Sequence, residues 1–393
     1  MKPHIIVIGL YRPGTGFTRV LHSIMNHIQE YYQVHWIGIG YKGPVLDQGF
    51  KIYPNNVNGG DMYGAYLGKE MVDKLNPKAV ILLNDFWMLK NYERTLNNLT
   101  TSTKVIAYVP LDGKIDDPQS VKGSEFVDDL VLYNDFSLNE AIRAFIQLQE
   151  TKLIDTYPNL HVVNHGLELK SFFPLDKKES KKHIFPQLEP DSQVVLNANR
   201  YNERKNVEST IEGFSHSIKG VNRNIYLCLH MPGIESFQLQ ELNNLLEKYD
   251  IEAQTIVNPL KDQGYVSDEM LNVLYNACDI GINTSLGEGW GLISFEHAAT
   301  GAAQVVPDHT ACGELWKDKG LLIPCIEDVK LNTNPFTMSR IDPIECGGTL
   351  KSLYLNDEYL EEIKKRCLQY THTGVISWDQ VSEQFRTIIE GKD

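Results

Sequence analysis

The chain lacks a long apolar run, an excess of positive charge, a cysteine pair at zinc-ligand spacing and a complete dinucleotide fingerprint. Each absence removes a class of function. No stretch approaches the ~20 apolar residues that cross a bilayer. Only six apolar residues, Ile5 to Leu10, precede Tyr11-Arg12-Pro13, too few for a secretory leader, so a cytoplasmic protein with no integral membrane segment is expected. Lys and Arg number 37 against 51 Asp and Glu, a net charge of -14, which disfavours non-specific nucleic-acid binding and polybasic membrane contact. The cysteines at 228, 278, 312, 325, 346 and 367 sit mostly in apolar context and read as free buried thiols. The local basic clusters Lys177-Lys178 and Lys181-Lys182 read as a solvated helix face. No internal repeat or low-complexity tract is present.

The missing fingerprint is specific. Ile5 to Gly9 reads as a buried strand, Tyr11 to Gly16 as a loop and Phe17 to Ile28 as a helix, so Gly14-Thr15-Gly16 stands where a phosphate loop would stand. The third glycine is absent. After the next strand, Val34 to Ile39, Gly40-Tyr41-Lys42 replaces the acid that would hold a ribose, which disfavours a nicotinamide enzyme. Gly14 and Gly16 remain either an ordinary tight turn or a phosphate-facing loop.

What is present is a chain of 393 residues, 42% hydrophobic and 22% charged, enough for two domains with sizeable cores. Strands at Ala79 to Leu83, Val105 to Val109, Val194 to Asn197, Asn224 to His230 and Cys278 to Asn283 alternate with helical patterns such as Val266 to Ala277, capped by Ser267-Asp268-Glu269. That alternation argues for an α/β fold with parallel sheets covered on both faces.

The most informative run is Ser285-Leu286-Gly287-Glu288-Gly289-Trp290-Gly291-Leu292-Ile293-Ser294-Phe295-Glu296. It reads as a glycine-rich turn after a strand, then a helix from Trp290 to Ala299 ended by Gly301. Such a helix start offers free backbone N–H groups and a positive dipole end to an anion. Glu288 and Glu296 stand eight positions apart, roughly 10 to 12 Å along a helix axis and close to a whole number of turns, so both can face one cleft. The competing reading makes Glu288 a helix cap and Glu296 a solvated surface charge. The glycine pair flanking Trp290 argues for a packed or ligand-facing loop. About ninety positions upstream, a strand ends in Arg200 and Glu203-Arg204-Lys205-Asn206 opens the next helix. Arg200 and Lys205, five apart across that turn, suit a diphosphate clamp; a solvated basic turn is the alternative.

These residues resemble the signature of retaining nucleotide-sugar glycosyltransferases of family 4. The resemblance is strong over residues 190 to 315, where Ala302 to Asp308 and Gly313-Glu314-Leu315 continue it, and loose elsewhere. It implies the GT-B fold, two Rossmann-like domains facing across a cleft: an acceptor-side domain over 1–170, a nucleotide-sugar-binding domain over 171–375, and a final helix over 376–393 crossing back to the first domain. It also implies a hexose transferred to a glycan or other hydroxyl acceptor. Donor binding would fall to Arg200, Lys205, Glu288, Gly289, Trp290, Gly291, Leu292, Glu296, Gly14 and Gly16. Glu288 would hold the hexose and Glu296 the ribose.

Two departures matter. Many relatives carry a histidine near the edge formed by Pro110-Leu111-Asp112; here Asp112 is the candidate for orienting the acceptor, with a turn residue as its alternative. No Asp-x-Asp occurs, so the expected mechanism uses no metal and no cofactor. The expected donor is GDP-mannose, with a UDP-sugar such as UDP-glucose next. A non-catalytic nucleotide- or glycan-binding scaffold of the same fold is the reading from a different class. His165, in the passage between the domains, is either a ligand contact or a structural residue.

Overall fold

The computed structural model describes residues 2–260 and 266–391, so the last two positions of the segment 376–393 lie outside it. The chain divides into two compact units. The first comprises Met1–Gly166, Asn332–Phe336 and Ile376–Asp393; the second comprises Leu167–Leu331 and Thr337–Val375.

In the first unit the strands are β1 (His4–Leu10), β2 (Gln33–Ile39), β3 (Leu46–Asp47), β4 (Lys51–Pro54), β5 (Ala79–Leu83), β6 (Lys104–Val109), β7 (Asp129–Leu132) and β8 (Asn159–Val162). They form one sheet in the order β3-β4-β2-β1-β5-β6-β7-β8, with only β3 antiparallel to its neighbour. Continuous apolar runs make this possible: Ala79 to Leu83 is buried at every position, as a strand with helices on both faces requires. The order reverses between β1 and β5, so Tyr11 to Gly16 and Asn84-Asp85 emerge on either side of a topological switch point.

The helix Gly16–Ile28 starts where Thr15 caps it, its side chain accepting from Thr18 N at 3.3 Å. Against this helix lies the final one, Trp378–Glu390, where Ser382 donates to Ile24 O at 3.2 Å and Phe385 meets the Tyr108 ring edge-on at 4.9 Å. His165 is buried among aromatic rings, 4.1 Å from the Tyr133 ring centre, with the Tyr108 hydroxyl 2.6 Å from Nδ1. Burial lowers its pKa to about 3, so it packs as a neutral ring.

The second unit holds β9 (Gln193–Asn197), β10 (Ile225–Leu229), β11 (Thr255–Val257), β12 (Ile280–Ile282), β13 (Ala303–Pro307) and β14 (Leu321–Ile323) in the order β11-β10-β9-β12-β13-β14, all parallel. Its switch point falls between β9 and β12. A separate antiparallel hairpin pairs β15 (Cys325–Lys330) with β16 (Thr337–Ile341). Gly281 on β12 has no room for a side chain, because a Cβ there would run into Gln304 and His297. Five of the six cysteines, all but Cys325, are buried thiols.

Phe336 is 1% exposed in the apolar cluster of the first unit that also holds Ile8, Leu82 and Val109. Phe336→Ala should lower the unfolding free energy of that unit by about 3–5 kcal/mol, measured by urea titration.

Candidate functional site

In the second unit, the turns following β9, β12 and β13 meet on a single carboxylate. After β12 the chain runs through Asn283 and Ser285 to Glu288, which is 5% exposed. Its Oε1 accepts from Ser285 Oγ at 2.8 Å and from Asn283 Nδ2 at 3.2 Å. After β9, Asn202 caps a short turn over Glu203–Lys205, and that turn delivers two cations. Lys205 Nζ donates to Glu288 Oε1, and Arg204 Nη1 lies 3.4 Å from Oε2 while also bonding the Gly287 carbonyl. After β13, Thr310 Oγ1 accepts from Glu288 N at 3.3 Å.

The turn after β13 is strained to make that contact. Thr310 is β-branched yet has φ of 47°, a conformation that costs on the order of 1–3 kcal/mol. His309 helps to hold it. Its Nε2 is 3.0 Å from the Ser285 carbonyl, which can only accept, so Nε2 carries the proton and Nδ1, 3.0 Å from Thr310 Oγ1, accepts the hydroxyl's.

Burial alone would raise the pKa of Glu288, but Lys205 first and Arg204 second outweigh it and hold it near 2. The carboxylate is therefore charged at every ordinary pH. Lys205 moves against its partner: burial lowers its pKa and Glu288 restores only part of the loss.

The helix after this turn is Leu292–Ala299, two residues shorter at its start than the sequence pattern implies. Gly291 stands before it at φ 91°, which a side chain would resist, so the turn stays open through Gly289 and Trp290. Trp290 is buried and stacks on Phe295 with ring centres 5.0 Å apart. Leu292 is half-buried at the helix start, where backbone N–H groups lack intrahelical acceptors. Glu296 is not the solvated charge of the competing sequence reading. It is 5% exposed and accepts from the Tyr275 hydroxyl at 3.1 Å. Nor is Glu288 a helix cap, since Gly291 occupies that position.

Arg200 lies exposed just beyond β9, after Asn199, whose N–H bonds the Asn197 side chain at 3.0 Å. The structure thus gathers Glu288, Lys205 and Arg204 into one ionic cluster. In the first unit, Gly14 is exposed at φ 78° and Gly16 opens the helix Gly16–Ile28. Asp112 accepts from Asn334 Nδ2 at 2.9 Å.

Sequence reasoning passed over Arg204, Asn283, Ser285, His309 and Thr310. They stand up to 106 positions apart, from 204 to 310, and only the ordering of strands makes them neighbours. It also passed over His230, at the carboxyl end of β10. This ring is 2% exposed, neither nitrogen has a hydrogen-bond partner among the described residues, and burial lowers its pKa to about 4.

Residues 178–330 match the model of the family described as Glycosyl transferases group 1. Mannosylfructose-phosphate synthase of Agrobacterium fabrum is 20% identical over 269 residues, 67% of this chain and 55% of that protein, so the chain spans about half the length of this relative. Among solved structures, the sucrose-phosphate synthase of Thermosynechococcus elongatus superposes with a TM-score of 0.75 at 12% identity, covering 99% of each chain. HepE of Anabaena, in complex with UDP-glucose, superposes with a TM-score of 0.72 at 13% identity, covering 99% of this chain and 100% of that one. These likenesses establish the fold as GT-B, an α/β architecture of two Rossmann-like domains.

A carboxylate with a depressed pKa stabilises the fold above its unfolded value, near 4.5, and loses that contribution as the pH falls toward 2. Wild-type protein should therefore lose up to about 3 kcal/mol more than Glu288→Gln over that interval, followed by urea midpoints at successive pH values.

Proposed function

We propose that this protein is a retaining hexosyltransferase that moves a sugar from a nucleotide-sugar donor to a hydroxyl acceptor. The observation that carries this reading is the buried Glu288, ionised at ordinary pH, at the switch point of the second unit's sheet, next to a helix start and two cations. A parallel sheet binds ligands outside the carboxyl ends of its strands at such a point. The match over residues 178–330 supports the same reading.

In this proposal the diphosphate is held by Arg200, Lys205 and the backbone N–H groups from Gly289 to Leu292. Lys205 exchanges its carboxylate partner for phosphate when the donor binds, and Arg204 keeps Glu288 ionised. Glu288 then accepts hydrogen bonds from the hexose 3- and 4-hydroxyls and stabilises positive charge developing at the anomeric carbon. Glu296, oriented by Tyr275, accepts from the ribose hydroxyls. His230 supplies a further polar contact to the nucleoside. Acceptor recognition is assigned to Asp112, and contact with the donor to Gly14 and Gly16.

The bond from the anomeric carbon to the phosphate oxygen breaks, and the acceptor oxygen bonds the same carbon on the same face. The departing phosphate oxygen takes the acceptor's proton. The products are a nucleoside diphosphate and a glycoside. Charge on the leaving group is offset by Arg200, Lys205 and the helix start, with no metal ion required.

GDP-mannose is the proposed donor, in keeping with the mannosyl name of the Agrobacterium relative. The UDP-glucose bound by HepE favours a second donor reading, UDP-glucose.

Calorimetry with GDP-mannose, UDP-glucose and UDP-N-acetylglucosamine in the presence of chelator should give one micromolar binder. Binding by none of the three would overturn the proposal. With that donor, Glu288→Gln should lower kcat at least a hundredfold and leave nucleotide affinity within about threefold. Glu296→Ala should weaken nucleotide binding about tenfold or more, the worth of a hydrogen bond to a charged group. Unchanged affinity in the second variant would remove Glu296 from the ribose, and the absence of even slow donor hydrolysis by wild type would favour a binding scaffold.

A further inference from the structure

The second unit's sheet has an opposite edge, at the amino ends of β9 and β12, and a different cluster of charge lies there. Asp279 stands immediately before β12, 8% exposed, with Val194 N donating to its Oδ2 at 3.1 Å. Three lysines converge on it from two helices. Lys181, on the helix Lys177–Ile184, puts Nζ 3.1 Å from Oδ2 and also bonds the Ser192 carbonyl. Lys364, on the helix Asp357–Gln369, puts Nζ 3.7 Å from Oδ1. Lys177 reaches in and donates from Nζ to the Cys278 carbonyl at 3.4 Å. The solvated helix face read from the sequence holds for Lys178 and Lys182, which are exposed, and is corrected for Lys181, only 7% exposed because its side of the helix faces Asp279 rather than water.

Asp279 shares these lysines with other acids of the lining, which holds Lys178 as a fourth lysine and Asp191, Asp357 and Glu361 as further carboxylates. Lys364 has a second acid, Glu361, at 2.9 Å. Asp357, at the rim, is engaged by Arg223 at 2.6 Å, and Asp191 is exposed to solvent, where its charge is screened. Lys177 makes no ion pair among the described residues, and burial, acting against Asp279, lowers its pKa.

These side chains line a cavity of about 260 Å³, several times the ~30 Å³ share of one water molecule. Ser192, 1% exposed, is part of the lining, and its hydroxyl has no hydrogen-bond partner among the described residues. A buried hydroxyl left unpaired is costly, and a polar space beside it calls for a ligand that accepts a hydrogen bond. Lys177, an ammonium group without an ion pair among the described residues, and the idle Ser192 donor specify the same chemistry, a compact oxyanion.

We propose that this cavity is a second binding site, separate from the Glu288 cluster, that takes the phosphate group of a small molecule between Lys177 and Lys181 and bonds it through Ser192 Oγ. Inorganic phosphate and a phosphorylated sugar both present that group. The site stands independently of the donor reading, since none of its residues takes part there.

The full chain is titrated by calorimetry with inorganic phosphate and with mannose 6-phosphate at constant ionic strength, using wild type, Lys177→Gln, Ser192→Ala and the double variant Arg200→Ala/Lys205→Ala. Saturable binding is expected in wild type and in the double variant alike, weakened about tenfold in Lys177→Gln and about threefold or more in Ser192→Ala. Tighter binding of either ligand supports the site and identifies its natural source. Ser192→Ala removes only an unpaired hydroxyl and keeps the test available should the lysine variant fold poorly. The proposal is overturned by equal affinity in wild type and Ser192→Ala, by loss of binding in the double variant alone, or by no saturable binding below about 10 mM.

Discussion

Taking a carboxylate out of water costs several kcal/mol unless its partners return that energy, and Glu288 is placed where water cannot serve it. Everything around it follows from this constraint. Lys205 and Arg204 supply charge, Ser285 and Asn283 supply hydrogen bonds, and Thr310 accepts a strained conformation to hold the backbone N–H. These groups arrive from the turns after three adjacent strands, β9, β12 and β13. If any one strand slipped by a residue, its side chains would reverse faces and the ion would lose a partner. The cluster therefore couples the register of the sheet to the electrostatics of its ligand edge.

The same parallel topology sets up the opposite edge. Strands that all point one way place every strand exit on one side and every entry on the other, so Asp279 and Glu288, nine positions apart in sequence, lie beyond opposite ends of β12. Each is a buried acid facing more than one cation. At the exit edge the cations match the carboxylate closely through hydrogen bonds. At the entry edge Lys177 is left without an ion pair among the described residues, and a polar cavity remains. That cavity, more than any difference in residue type, separates a paired ion cluster from the proposed anion cradle.

Much of the strand order was legible as pattern. Runs such as Ala79 to Leu83 and Val194 to Asn197 sit in the sheets within a residue or two of where their apolar content places them, because a strand buried on both faces tolerates little else. The cap at Ser267 was equally readable, since a serine before Asp268-Glu269 satisfies local backbone donors and depends on nothing distant. The helix after Glu288 was less so. Helical spacing from Trp290 onward was plain, but Gly291 adopts a positive φ and delays the start to Leu292, a conformational choice that periodicity does not encode.

The sequence by itself determined the alternation of strand and helix, the glycine-rich turn and the presence of Glu288, Glu296 and Lys205, because apolar period, backbone freedom and side-chain type are local properties. Only the tertiary structure decided which charges meet. That Arg204 lies against Glu288, that Lys181 is buried on Asp279, and that His230 is enclosed without a hydrogen-bond partner among the described residues depend on which strands become neighbours. Electrostatic energy falls with distance through space and is indifferent to distance along the chain, so contacts across 80 to 100 positions carry no local signature.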